Sequence, residues 1–319
     1  MAQLPVTAAR RTRDLTDAGI AKARLAAQRL AAPAVTEPAR LVAWLGAVQS
    51  QDYPLGKWSL AQRLAKTSGD IDAAIADGSI LRTHVLRPTW HFVARDDVRW
   101  MQELTAPRVL ALLKQNDRRN GVDAALVERG MKAIEAAITR GGHLTRRDVD
   151  AALGRAGIHT DPWLLGDLLM HAELRAIVCS GVPRDRHQTY ALVDERAPKA
   201  SSMTRDEALS TLARRYFTSH GPATARDFQW WSGLTAADVA RSLDILGRAF
   251  ERVSSGDRAY IFPVTGAVAR SRAGTAHVLQ PFDDLHRAIR KFADFRFPLV
   301  LHGRRGDDED FSHPPLAGQ

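Results

Sequence analysis

The chain has little of what marks secreted, membrane-spanning or metal-binding proteins. One cysteine, Cys179, occurs among 319 residues, which excludes an internal disulfide and any four-cysteine metal or cluster site. No apolar run approaches the roughly 18 residues that a transmembrane helix needs, and the basic N-terminus lacks the apolar block of a secretory signal. His and carboxylate residues show no convincing metal-ligand spacing. We therefore expect a cytoplasmic protein without a metal, a cofactor or a membrane partner.

Acidic residues are also in the minority. The sequence has 45 Lys and Arg against 36 Asp and Glu, a formal net charge of +9 and an isoelectric point of about 10.2. Such a surface attracts phosphate backbones and anionic membranes, and the flat guanidinium of Arg, the commoner basic residue here, suits phosphate well. A genome rich in G and C would favour Arg codons as well. Composition alone therefore leaves both explanations of the charge open.

Two stretches predict the same order of elements, three helices followed by a β-hairpin. In the first, a helix over 123–139 precedes a capped helix start at Thr145, a third helix opened by Asp161 and Pro162, and strands over 177–180 and 189–193. The second has a helix over 204–220, helix starts at Thr224 and Thr235, and strands over 250–253 and 259–262. Both begin the second helix with Thr-x-Arg-Asp-apolar, about 80 residues apart, which indicates an internal repeat.

A helix-turn-helix followed by a hairpin is the pattern of a winged helix, whose third helix enters the major groove while its hairpin contacts the neighbouring backbone. Winged helices also serve as protein-interaction modules, and the basic charge favours DNA here. The first 120 residues read in the same way with more irregularity. We therefore predict a mainly α protein with small β-hairpins (α+β), built from tandem winged-helix units over 1–120, 121–200 and 201–265 and a C-terminal segment over 266–319.

The sharpest motif is Gln49-Ser50-Gln51 followed by Asp52-Tyr53-Pro54. This string resembles the Gln-x-Gln motif of the AlkZ-like and YcaQ-like DNA glycosylases. The sequence Arg87-Pro88-Thr89-Trp90-His91, within residues 81–93, is similar to that family's Arg-x-Thr-Leu-His hairpin, and residues 279–284 resemble its late Leu-x-Pro-Phe-Asp-Glu element. The motifs keep the family's order over residues 15–284.

The resemblance implies a concave, basic DNA channel lined by tandem winged helices. It implies excision of N7-alkylated purines or unhooking of interstrand crosslinks, in DNA repair or toxin self-resistance. Gln49 and Gln51 match the two catalytic glutamines; YcaQ-type members have Asp at the second position, so the chain sits with the AlkZ-like group. Beyond residue 284 the family's Gly-Thr-Trp ending is missing, which suggests a truncation or a shifted reading frame near residue 285.

A glutamine pair is chemically credible for cationic lesions. Glutamine cannot ionise, but its amide can hold and orient a water molecule. An N7-alkylpurine already carries positive charge, so it leaves without protonation, and positioning and electrostatics suffice. We expect Gln51 to be the more sensitive of the pair. The alternative is that Gln49 and Gln51 cap a helix end through ordinary backbone hydrogen bonds.

Basic residues in the hairpins and at helix starts are predicted to contact DNA. His91 is as well explained as a partly buried strand histidine, and Trp90, Trp230 and Trp231 are predicted to lie in the core. The expected partner is damaged double-stranded DNA bound by a monomer. The alternative function is a non-enzymatic transcription regulator, which would usually be a dimer on paired half-sites. The predicted DNA contacts are Arg82, Arg87, His91, Arg146, Arg147, Arg184, Arg186, Arg226 and Arg258.

Overall fold

The computed structural model describes residues 16–31, 35–64, 66–185, 187–197, 199, 202–256, 258–264 and the single positions 279, 283 and 285. Within them the protein is mainly helical with small antiparallel sheets, as the α+β prediction requires. None of the described helices is long and apolar enough to cross a membrane. Arg186 and most of the predicted segment 266–319 lie outside the described residues.

The first unit has a three-stranded sheet covered by helices. Its sheet has the order β1-β3-β2, with both pairs antiparallel. Pro38 opens the second helix from its first turn, where a missing N–H costs nothing. The elements are α1 (Asp17–Ala27), α2 (Pro38–Leu45), β1 (Val48–Gln49), α3 (Tyr53–Leu64), α4 (Ser68–Ala76), β2 (Ile80–His84), β3 (Trp90–Ala94) and the long connecting helix α5 (Val98–Arg119).

The second unit repeats this order of helix, strand, two helices and two strands. Its sheet, β4-β6-β5, is the counterpart of the first. Asp161 caps the helix that Pro162 begins, as the sequence predicts. The elements are α6 (Ala124–Gly141), β4 (Leu144–Thr145), α7 (Arg146–Arg155), α8 (Pro162–Leu174), β5 (Val178–Ser180), β6 (Thr189–Leu192) and the short α9 (Val193–Arg196).

The third unit follows the same order, with its first strand reduced to the bridge between Ala223 and Ile261. The Thr-x-Arg-Asp repeat has a structural reason. In both units the Thr side chain caps the second helix and the Asp three residues later bonds back to the Thr main chain, a reciprocal capping box. The elements are α10 (Arg205–Ser219), α11 (Ala225–Ser232), α12 (Ala236–Leu246), β7 (Phe250–Ser255) and β8 (Arg258–Pro263).

The three units share cores instead of standing apart. The largest apolar cluster joins the first sheet to the third unit, for example Leu81 and Val93 to Leu212 and Phe217. The first helix, which the sequence analysis places with the first unit, packs on the third: Ile20 lies against the buried residues of β8. Arg24 reinforces this contact, since its Nε donates to the Pro222 carbonyl at 2.8 Å. As a result the first sheet lies inside the molecule.

Candidate active site

The Gln49-Ser50-Gln51 segment links β1 to α3 and is folded tightly onto α3. The helix starts at Tyr53, so the Gln segment directly precedes it. Asp52 opens the helix: its Oδ1 accepts from Leu55 N at 2.9 Å. Gly56 lets the segment approach, because a Cβ there would lie 3.1 Å from Ser50 Cα and 3.0 Å from a Phe92 ring carbon. The Asp and Gly residues thus shape the loop that carries both glutamines.

The two glutamines differ in what their side chains contact. Gln49 is 5% exposed, and its amide oxygen has no hydrogen-bond partner among the described residues. Gln51 is half-buried, and its Oε1 accepts from Trp90 N at 3.3 Å. The extended strand ends at Gln49 and the chain bends at Gln51, so strand alternation alone does not set their directions. Both nonetheless meet β3, since Gln49 pairs with His91 in the register.

Helix capping does not account for these glutamines. The side chain that caps α3 belongs to Asp52, and the side-chain oxygen of Gln51 accepts from Trp90 N on strand β3. A buried amide oxygen without a partner is costly to maintain, by about 1–3 kcal/mol. Such an atom in a folded protein calls for an explanation, and a bound water or ligand is one of them.

Arg82 holds the glutamine loop through hydrogen bonds to its backbone. Its Nε and Nη2 donate to the Ser50 carbonyl at 3.1 and 2.9 Å, and its Nη1 donates to Gln188 of the second unit at 2.7 Å. The guanidinium also lies 4.4 Å from the centre of the Trp90 ring. Burial lowers the pKa of Arg82 to about 10, so the group stays charged at neutral pH. Because Arg82 is 4% exposed, its predicted DNA contact would require the buried side chain to become accessible; in this structure it supports the glutamine loop.

His91 is likewise internal. It is 1% exposed, and its Nδ1 lies 2.8 Å from the Thr89 carbonyl. On β3 it stands between Gln49 on one side and Thr83 on the other. Its predicted contact with DNA therefore requires the buried side chain to become accessible, and in this structure its neighbour is the candidate catalytic glutamine.

Glu173, which the sequence analysis does not single out, braces the opposite side of the hairpin. This α8 residue is 1% exposed and hydrogen-bonds the His84 ring through Oε2, while its Oε1 accepts from Trp90 Nε1 at 3.2 Å. Gln102 Nε2 donates to the Glu173 carbonyl at 2.6 Å. A carboxylate inside an otherwise apolar helix stretch, Leu-Leu-Met-His-Ala-Glu-Leu, is the signal that could have revealed it.

Asp283, from the late element of the family pattern, contacts α3. Arg63 binds Asp283 through both terminal nitrogens, at 2.9 and 2.8 Å, and Ser59 donates to the same carboxylate at 2.6 Å. Burial alone would raise the pKa of Asp283, but Arg63 and the Ser59 hydroxyl outweigh it, and the pKa lies below its ordinary value. This fork-shaped pair fixes the helix that begins at the glutamine loop.

The remaining predicted DNA contacts lie nearer the surface. Arg147, Arg184 and Arg226 are exposed, while Arg87, Arg146 and Arg258 are half-buried. Several have internal partners: Arg184 pairs with Asp148, Arg146 donates to the Pro162 carbonyl at 2.7 Å, and the Arg87 guanidinium lies 4.5 Å from the Trp230 ring centre. The structure groups Arg146, Arg147 and Arg184 at the start of α7.

Trp230 is exposed, although the sequence predicts that it lies in the core. It is 41% exposed, whereas Trp90 and Trp231 are buried as expected. The hairpin tip reaches this side of α11 because Gly233 leaves room: a Cβ there would lie 2.3 Å from the Leu86 carbonyl oxygen. Arg87 and Trp230 thus form a surface pair where the first and third units meet.

Comparison with known proteins agrees with the motif order. The family model described as DNA glycosylase AlkZ-like matches residues 42–299, most of the chain, and confirms the resemblance. The solved structure of Streptomyces sahachiroi DNA glycosylase AlkZ is 21% identical, with 85% of this chain and 77% of that chain covered and a TM-score of 0.68. At that identity the likeness shows the fold alone. No curated protein gives a significant match.

Proposed function

Because the chain belongs to the AlkZ-like family of DNA glycosylases, we propose that it hydrolyses the N-glycosidic bond of N7-alkylated purines in DNA. Gln49 and Gln51 position the water that attacks C1′ of the sugar. The observation that carries this proposal is the Gln49 amide oxygen, buried at 5% exposure and without a partner in the described part of the chain. This oxygen can accept a hydrogen bond from the attacking water molecule.

The division of roles follows from the contacts. Gln49 Oε1 accepts a hydrogen bond from the water, and Gln51, whose oxygen is occupied by Trp90 N at 3.3 Å, presents its amide NH₂ group. Neither side chain abstracts a proton strongly, since an amide is a poor base. The C1′–N9 bond breaks with its electron pair going to the cationic purine, which leaves neutral, while the water oxygen bonds to C1′ and its proton passes to solvent. Holding the water against the electron-poor sugar is therefore enough.

DNA binding rests on other residues. We propose that the three units are tandem winged helices, supported by the matching sheet orders β1-β3-β2 and β4-β6-β5 and by the Ala223–Ile261 bridge. The exposed Arg147 at the start of α7 and the half-buried Arg258 near the tip of the β7–β8 hairpin contact phosphates of a duplex. We further propose that the protein acts in the cytoplasm as a monomer, on isolated lesions or crosslinks.

Single-turnover release of 7-methylguanine from alkylated DNA tests the proposal. Gln49→Ala and Gln51→Ala should each slow release by about 10²-fold or more, as expected when a positioned catalytic group is removed. Gln51→Ala should be the slower, because it also loses the contact with Trp90. Gln51→Asp should retain part of the activity, because a carboxylate can accept from Trp90 N and still orient water.

The matched control is Gln115→Ala, an exposed glutamine on α5. It should release the base at the wild-type rate, and all four variants should bind undamaged duplex as wild type does. If the two alanine variants of the loop cleave like wild type, the glutamines are not catalytic. If wild type binds duplex tightly and releases no base, a DNA-binding regulator explains the protein better.

A further inference from the structure

Three buried ionisable side chains meet where the end of α5 crosses α8. Asp117 is in the last turn of α5, and Asp167 and His171 are four residues apart on one face of α8. His171 Nε2 lies 3.1 Å from Asp117 Oδ2 and 3.7 Å from Asp167 Oδ2. The three side chains are 5%, 3% and 4% exposed, in chain order. Sequence spacing does not reveal the group, because 54 residues separate Asp117 from His171.

The cluster has too little positive charge for its two carboxylates. Among the described residues, His171 is the one basic side chain within ion-pair distance of either Asp117 or Asp167. Asp117 Oδ1 and Asp167 Oδ2 are buried and have no hydrogen-bond partner there. Burial raises the pKa of Asp167, and the Asp117 carboxylate raises it further, while burial lowers the pKa of His171. Two buried carboxylates this close together either share a proton or bind a compensating cation.

We propose that Asp117, Asp167 and His171 bind one divalent transition-metal ion, of which Zn²⁺ fits the site best. The ligands are His171 Nε2 and one oxygen of each carboxylate, atoms that all lie within 4.8 Å of one another. Ligands at tetrahedral Zn²⁺ distances stand about 3.3 Å apart, and the 3.1 and 3.7 Å separations bracket that value. The imidazole favours zinc-like ions over Mg²⁺ and Ca²⁺, which prefer oxygen alone.

The position of the site indicates a structural role. The helices α5 and α8 also meet through the Gln102–Glu173 hydrogen bond and through a small apolar cluster of Ala106, Val109, Leu113, Met170 and Leu174. An ion bound at one end of that cluster would cross-link the first unit to the second. Glu173 lies two residues beyond His171 on the same helix and holds His84 and Trp90. Fixing α8 therefore also fixes the wall of the glutamine loop.

Metal titration of the full-length protein tests this assignment independently of base release. Protein stripped with EDTA and dialysed should bind one equivalent of ZnCl₂ in calorimetry, with a Kd of about 1 μM or tighter. It should take up one Co²⁺ with the absorption bands of a low-symmetry, nitrogen- and oxygen-ligated ion. At about 100-fold excess of Zn²⁺ over Kd, the unfolding temperature should rise by about 3 °C or more.

Asp167→Asn and His171→Gln should each weaken Zn²⁺ binding by about 100-fold or more and abolish the thermal shift. Asp167→Asn keeps the side-chain volume and removes a buried charge, so it should fold without metal. The control is His143→Gln, which removes the half-buried imidazole that contacts Glu195, away from the cluster, and it should bind like wild type. Tight one-to-one binding that survives in Asp167→Asn would overturn the proposal. So would wild-type protein that shows no saturable binding of Zn²⁺ or Co²⁺, which would leave a carboxylate pair sharing a proton.

Discussion

The β2–β3 hairpin of the first unit and the β7–β8 hairpin of the third occupy the same place in the order of elements. They differ in how much of each hairpin is buried. Every residue of β2 and β3 is buried, whereas β7 alternates half-buried and exposed positions after its first residue. The first hairpin is a wall of the candidate active site. In the third unit the middle of β8 is buried, partly against α1, while β7 and the hairpin tip that carries Arg258 are more open. We therefore expect hairpins of the same topology to serve two tasks: the buried one supports the glutamine loop, and the more open one contacts DNA.

The first hairpin is enclosed because apolar cores form on both of its faces. Ile80 and Phe92 point into the core of the first unit, and Leu81 and Val93 point into the core shared with the third. A hairpin covered on both faces cannot enter a groove of DNA. Its polar residues must therefore find partners inside the protein, as Arg82 does with the glutamine loop.

The largest effect that separates the hairpins should be on stability. Arg82→Ala should lower the free energy of unfolding by about 2–4 kcal/mol, because the Ser50 carbonyl and Gln188 lose buried donors and a cavity remains. Arg258→Ala, at a half-buried position near the tip of the third hairpin, should lower it by less, about 1 kcal/mol or below. Urea denaturation measures both. Equal losses would mean that the two arginines are equivalent and that the contrast in burial has no energetic meaning.

Local sequence patterns predicted the elements better than their surroundings. The capping pairs at Thr145 and Thr224 and the Asp161-Pro162 start are read from adjacent residues, so helix starts were recovered. What covers an element depends on packing between distant segments. The sequence therefore could not show that α1 packs on the third unit or that Trp230 is exposed.

The candidate site shows the same division. The Gln-x-Gln motif and its family were recognised from contiguous letters. The burial of Arg82 and His91 was not predicted from the sequence. Alternation such as Arg82-Thr83-His84 is also typical of a strand with one solvent-exposed face. Glu173 and the Asp117–Asp167–His171 cluster depend on the crossing of α8 with the first unit, which no local pattern encodes.

An intermediate effect should appear at the glycine beneath the glutamine loop. An alanine at Gly56 places its Cβ 3.1 Å from Ser50 Cα, so the loop backbone must shift by a few tenths of an ångström. Base release should slow by about 10-fold, because misplacement of positioned groups is costly. Stability should change by less than about 1 kcal/mol, since the helical preference of alanine offsets the crowding.

Gly154→Ala is the matched control for that experiment. Gly154 is also helical, and an added Cβ there meets nothing within 4 Å. This variant should be more stable by about 0.5–1 kcal/mol and should release the base at the wild-type rate. A Gly56→Ala enzyme with full single-turnover activity would show that the loop tolerates displacement and that its tight packing is incidental to function.

The smallest effect should belong to the β7–β8 hairpin and should appear in the salt dependence of DNA binding. Each phosphate contact contributes a slope of about −0.9 in log K against log salt concentration. Arg258 begins β8, opposite Ser255, where a duplex can reach the side chain. Arg258→Ala should reduce the slope by about 0.9 for duplexes of any sequence and leave base release from bound DNA unchanged.

Lys199→Ala removes the same charge from a side chain that is 80% exposed and lies after the second unit, outside either hairpin. It should leave the slope as in wild type. If both variants change the slope equally, DNA binding depends on the net charge of the protein and not on the β7–β8 hairpin. The β7–β8 hairpin would then have no specific role in DNA binding.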